Sequence, residues 1–277
     1  MAEFLEATIQ SVLAQDYSSI EYTILDGGST DGTRAIAERY KDRITFIAEP
    51  DDGPADSIHK GLSRARGEIV SWLSADDLLL PGAVRAAVEA IGKHPKASGV
   101  YGDAQWINAS GQVIRAYPTR SFDAAELMRE CFICQPACFF RKAAYAAAGG
   151  VDKQLGYTFD WDLWMRMSKA APLVHVPDLW AQSRMHSSNL TLGQRGKVLE
   201  ESIALLRRRA GYVPVPWVYG WMTYQEQPTD QFFDVPARSP WRYVRALRLG
   251  LAWNKGQNAR YAGEWISGLR AHRPTAN

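Results

Sequence analysis

Two adjacent carboxylates, Asp76 and Asp77, follow the apolar stretch Ile69 to Leu73 and the short link Ser74-Ala75. Neighbouring acids repel each other and lose hydration when buried, so packing alone does not favour the pair at a strand end. A divalent cation removes the conflict, because hard cations take carboxylate oxygens. The simpler use is helix capping, since Pro81 suits the first turn of a helix over 82–91. A second acid, Asp26, opens Asp26-Gly27-Gly28-Ser29-Thr30-Asp31-Gly32-Thr33. Its glycines permit positive φ and close approach of backbone to a ligand. Thr30 or Asp31 can cap the helix that follows. A third, Asp160, lies between Phe159 and Trp161, an apolar setting that raises the basicity of a carboxylate. It also stands at a helix start, where an acid serves as a cap. Asp162, two residues on, falls on a different helix face.

The elements that must position these groups alternate. Residues 4–13 have helical apolar spacing. Strands are expected over 20–25 and 44–48, with a helix over 33–40 between them. A helix over 55–66 then precedes the strand that reaches the acidic pair. Strand and helix in turn, with short connections, argue for a parallel sheet with right-handed crossovers. Such a sheet binds ligands outside the carboxyl ends of its strands. Further strands are expected over 99–105, 112–116, 137–141 and 173–176, and helices over 122–129, from Asp160, and over 192–209. A composition shift follows Gly211. There Trp241 to Trp253 places Arg242, Arg245 and Arg248 at three-residue steps beside Val244, Leu247 and Leu251. A basic amphipathic helix of this kind can lie on an anionic membrane surface or dock on its own protein with solvated arginines.

The length, 277 residues, allows one large domain with an appendage. A net charge of +2 gives no bulk attraction to nucleic acid. Cys131, Cys134 and Cys138 have no second ligand cluster and sit among Phe132, Ile133, Phe139 and Phe140, which reads as buried, reduced thiols rather than a metal site. No apolar run approaches a membrane span.

Taken in order, Ile-Leu-Asp-Gly-Gly-Ser-Thr-Asp-Gly-Thr at 24–33, Glu-Pro-Asp-Asp-Gly at 49–53, Asp56, Lys60-Gly61, Ser-Ala-Asp-Asp at 74–77, Gln135-Pro136, Gly149-Gly150, Asp-Trp-Asp-Leu-Trp at 160–164 and Arg-Met-His at 184–186 resemble glycosyltransferase family 2. The resemblance covers about Phe4 to Glu200. It implies an α/β fold of the GT-A type, a Rossmann-like and mostly parallel sheet flanked by helices. It implies a domain over 1–210 and a helical, Trp-rich appendage over 211–277. The family opens with a strand, whereas this chain opens with the helix after it, which would expose two strand edges.

The resemblance also implies roles. Asp26, Asp56, Lys60 and Asp76 would hold the nucleotide of a nucleotide-diphosphosugar donor, a UDP-sugar by preference. Asp77 and His186 would bind a divalent metal, Mn2+ or Mg2+, with Ser74 standing where the family's first acidic position falls. Asp160 would be the catalytic base of an inverting transfer to a hydroxyl of a glycan or lipid-linked acceptor in surface-glycan synthesis. The setting would be cytoplasmic, with peripheral contact at the inner membrane face through 241–253 and no nucleic-acid partner. The competing reading is a truncated, non-catalytic sugar-nucleotide-binding remnant. A dinucleotide oxidoreductase is disfavoured, because no G-x-G-x-x-G follows a first strand.

Overall fold

The first helix, α1 (Ala2–Leu13), buries Phe4, Leu5, Thr8, Ile9 and Val12, the stripe its spacing predicts. The computed structural model describes residues 1–229, 231–233 and 239–271. Two compact units divide the chain, Met1–His186 and Ser187–Asn277.

In the first unit, β1 (Thr23–Asp26) runs parallel to β2 (Thr45–Ala48), with α2 (Thr33–Glu38) between them in sequence. Then come α3 (Pro54–Arg64), β3 (Ile69–Val70), β4 (Leu78–Leu79), α4 (Ala83–Lys93), β5 (Gly99–Ile107), β6 (Val113–Ala116) and α5 (Ala124–Leu127). A single 3-10 turn, Gln135–Ala137, leads into β7 (Cys138–Arg141), α6 (Lys142–Ala147), α7 (Phe159–Met167) and β8 (Leu173–Arg184). A six-stranded sheet has the order β3-β7-β5-β8-β4, with β6 added on β5. Its character is mixed. Strands β5 and β8 run parallel, while β3–β7, β4–β8, β5–β6 and β5–β7 are antiparallel. Among the described residues no ladder joins the β1–β2 pair to this sheet. Just before β1, Glu21 accepts the Arg66 backbone N–H at 2.8 Å and pairs with the Arg66 guanidinium, ahead of β3.

Three elements differ from the sequence expectation. The run 69–73 is not one strand. Only Ile69 and Val70 pair with β7; beyond them the Ser71 hydroxyl donates to Cys138 O, and Trp72 O accepts from Gln135, so side chains replace the ladder. Pro81 lies ahead of helix α4 rather than in it, because Gly82 takes a left-handed φ of 82° before the helix begins. The strand expected to stop at Val176 continues for eight more residues to Arg184. Pro177 and Asp178 read as breakers, but β8 sheds them as a bulge: Val176 lies opposite Gly102 and Leu179 opposite Asp103. The Trp180 ring then crosses Gly102 so closely that a Cβ there would sit 2.3 Å from it. This continuation carries Arg184 and His186 to the acidic pair.

The second unit contains α8 (Leu190–Gly193), α9 (Arg195–Ala210), α10 (Val215–Glu226), α11 (Pro240–Trp253) and α12 (Asn258–Ala271). Its core joins Ile203, Tyr212, Val213, Val218, Met222, Ala246 and Tyr261. Asn254 locks the Val213 backbone from both sides, accepting its N–H at 2.7 Å and donating to its carbonyl at 3.0 Å. No described helix is long and apolar enough to cross a membrane.

Candidate active site

The acidic pair is held from two sides, by α1 and by β8. From α1, the Thr8 hydroxyl lies 2.9 Å from the carbonyl oxygens of both Ala75 and Asp77 and donates its one proton to either. Further along the same helix Ser11 Oγ accepts the Leu79 N–H, and just past its end Gln15 donates to Leu80 O at 2.9 Å. From β8, Arg184 Nε donates to Asp76 O at 2.9 Å, and its Nη1 reaches the carbonyls of Asn108 and Ala109 beside the β5–β6 turn. Phe4 fills the remaining side, with the Arg184 guanidinium 4.9 Å and the His186 ring 4.8 Å from its ring centre.

Within that clamp the two acids take different partners. Asp77 Oδ1 accepts the Arg184 backbone N–H at 2.8 Å. Asp76 Oδ2 lies 3.0 Å from His186 Nε2. Burial, and then the neighbouring Asp76 charge, push the Asp77 carboxyl well above the usual carboxylate range.

Asp26 closes β1 with its two carboxylate oxygens each 3.2 Å from the Ser29 N–H. Gly27 follows it because the Asp51 carboxylate approaches there; a Cβ would stand 2.3 Å from Asp51 Oδ2. Asp56, on α3, is buried and pairs with Lys60 at 2.6 Å and Lys153 at 3.3 Å. Lys60 also donates to Pro50 O. The Lys60 ammonium holds the Asp56 carboxyl down at about 2. These two residues therefore pin the 49–53 loop to α3 next to Asp26.

Asp160 lies half-buried in the first turn of α7, with Oδ1 accepting the Trp161 N–H at 2.7 Å. Asp162 is fully buried and pairs with Arg166 at 2.7 Å. The cysteines are free, and Cys134 and Cys138 are buried. Burial raises all three thiols, and Cys134 is raised further by the charges of both Asp77 and Asp160.

A family model, "Glycosyl transferase family 2", matches residues 2–148. The chain belongs to glycosyl transferase family 2. A glycosyltransferase of Rickettsia typhi, described as uncharacterized, is 27% identical over 69% of this chain and 62% of its own. A PGL/p-HBAD biosynthesis glycosyltransferase of Mycobacterium tuberculosis is 30% identical over 63% of this chain and 68% of its own. The chain spans between 28% and 62% of the length of five rickettsial relatives. In fold, it matches S. aureus TarS 1-349 in complex with UDP at a TM-score of 0.62, with 12% identity over 99% of this chain and 90% of that one. It also matches the mannosyltransferase PcManGT from Pyrobaculum calidifontis, in complex with GDP-Man and Mn2+, at 0.58, with 18% identity over 99% and 78%.

For this family 2 chain, the donor set at the acidic pair suits a divalent cation. Asp76 offers an oxygen and His186 a nitrogen, within one hydrogen bond of each other, and Asp77 adds a second buried carboxylate beside them. Among the described residues no three His, Cys, Asp or Glu side chains form a ready-made metal cage. Mg2+ is commonly held by one or two carboxylates, which Asp76 and Asp77 can supply, completed by substrate phosphates. Thr8, Arg184 and Trp72 are the contributors that sequence reasoning left without a role. Arg184 alone left a signal, two residues before His186.

Proposed function

We propose that the chain is an inverting, metal-dependent glycosyltransferase that moves a sugar from a nucleotide-diphosphosugar to a hydroxyl of a glycan or lipid-linked acceptor in surface-glycan synthesis. Asp26 and the Asp56–Lys60 pair lie at the nucleotide end. Asp76, Asp77 and His186 form the diphosphate end, with Asp76 and His186 the directly facing donors. When bound there, Mn2+ or Mg2+ supplies positive charge against the leaving diphosphate. Asp160 takes the proton from the acceptor hydroxyl as its oxygen attacks C1 of the sugar. One base and one displacement invert the anomeric centre.

The observation that carries this reading is the Asp76–His186 pair at 3.0 Å, with the buried Asp77 next in sequence and held by the Arg184 backbone N–H. The TarS structure contains UDP and the PcManGT structure GDP-Man and Mn2+, which supports a nucleotide-sugar donor and a divalent metal here. The Mycobacterium relative's PGL/p-HBAD name supports a cell-envelope acceptor. The setting is cytoplasmic, with residues 241–253 touching the inner face of the membrane.

The test is nucleoside diphosphate release from a panel of UDP-, GDP- and dTDP-sugars, with Mn2+, with Mg2+ and with EDTA. One sugar nucleotide turned over in metal and spared in EDTA supports the reading. Metal-independent turnover, or none of the panel bound, defeats it.

A further inference from the structure

The second unit has a charge of its own. Residues 187–277 carry thirteen Lys and Arg against six Asp and Glu, whereas residues 1–186 carry nineteen against twenty-four. A chain of nearly neutral net charge is thus divided into an acidic unit at −5 and a basic one at +7. The basic unit also exposes an aromatic side chain. Trp241, at the start of α11, is 78% exposed, the most of any large hydrophobic among the described residues.

Helix α11 brings the two features together on one face. Its inner face is already covered: Ala246 and Gly250 are buried, and Tyr261 of α12 approaches Gly250 so closely that a Cβ there would lie 1.9 Å from its ring. Tyr243 stacks on Trp265 of the same helix at 5.1 Å. The outer face is a second stripe at helical spacing, Trp241, Val244, Arg245, Arg248 and Ala252, continued by Lys255 past the helix end. All six are exposed, and none is acidic. Arg245 shares Glu226 with Arg242, but among the described residues Arg248 and Lys255 pair with no acid. At the same end the Arg207 guanidinium lies over the Trp253 ring at 4.8 Å.

We propose that this outer stripe of α11 docks on a bilayer bearing anionic headgroups, with Trp241 and Val244 seated at the headgroup level and Arg248 and Lys255 over the lipid charges. The proposal rests on the membrane contact in the functional reading above and assigns it to a face and to residues. Tryptophan favours the headgroup region because it is apolar in body and polar at one edge. Cations near an anionic surface each add attraction that salt screens. An apolar and cationic stripe without acids suits a lipid surface better than a nucleic-acid duplex, whose phosphate backbone would leave Trp241 and Val244 without an apolar partner.

The experiment is sedimentation of the full chain with phosphatidylcholine vesicles, with and without about a third phosphatidylglycerol, at low and at 0.5 M salt. Binding should require the anionic lipid and fall with salt. The double variant R248E/K255E should bind at least about tenfold more weakly. Trp241→Ala should weaken binding as well, and vesicles with brominated acyl chains should quench fluorescence in the parent but less in Trp241→Phe. Circular dichroism and thermal melting confirm that each variant is folded. Equal binding to neutral vesicles, unchanged binding of the variants, or binding to RNA that ignores Trp241 overturns the proposal. UDP affinity measured on the same variants should stay at the parent value. Vesicle binding can therefore fail while donor recognition stands, and the reverse.

Discussion

Trp72 and Trp164 lie stacked, with ring centroids 5.6 Å apart and planes 18° from parallel. Trp72 is four residues before Asp76, and Trp164 is one helical turn after Asp160. The stack therefore fixes the acidic loop against the helix that carries the proposed base, and Phe140 meets both rings edge-on. Trp164 is fully buried, so Trp164→Ala should cost about 3–5 kcal/mol in denaturant unfolding. A loss under about 1 kcal/mol would show that the stack does not hold the two parts together.

The diphosphate end should separate its two acids. Asp76→Asn and His186→Ala should each lower the metal-dependent gain in UDP affinity by at least about tenfold, since even indirect partners of a metal site cost that much. Asp77→Asn should remove metal-dependent donor turnover. Titration calorimetry with UDP, in Mn2+ and in EDTA, reads the first two variants, and nucleoside diphosphate release from the donor reads the third. If Asp77→Asn keeps wild-type turnover in Mn2+ or Mg2+, Asp77 serves only to hold the Arg184 backbone.

Asp160→Asn should slow single-turnover transfer by at least about a hundredfold with donor affinity nearly unchanged, the lower end for a lost general base. Sequence reasoning makes Asp162→Asn mild, but the structure makes it costly for another reason. Asp162 is buried against Arg166 at 2.7 Å, and removing its charge strands a cation, a loss of about 3–5 kcal/mol. Turnover per folded molecule distinguishes them: it should fall for Asp160→Asn and persist for Asp162→Asn. The opposite pattern would exchange the two roles.

Acid should release the 49–53 loop late. Asp56 has its carboxyl held at about 2, below the ordinary 3.8, by the Lys60 ammonium. A depressed folded value stabilises above the unfolded value and loses that contribution as pH falls through the folded one. The melting-temperature gap between the parent and Asp56→Asn should thus be constant above about pH 4 and shrink between about pH 4 and 2. A gap independent of pH across that window would mean that the Asp56–Lys60 pair adds nothing to folding.

Local chemistry made much of this protein legible in sequence. Apolar spacing marked α1, turn residues marked the loop after Asp26, and the order of short motifs marked the family, because each depends on residues close in the chain. Asp162 falling on a face away from Asp160 also followed from helical period alone. What the chain could not reveal locally were partners drawn from far away. Thr8 meets the carbonyls of Ala75 and Asp77, Arg184 meets Asp76 and Asp77 from the opposite end of the unit, and Trp72 finds Trp164. The extension of β8 to Arg184 was hidden for the same reason. Pro177 and Asp178 end a strand by local rules, and only pairing with β5 and β4 makes the bulge that passes them favourable. Residue type decided which groups could do chemistry; burial and long-range pairing decided that Asp76 faces His186 while Asp77 turns to the Arg184 backbone.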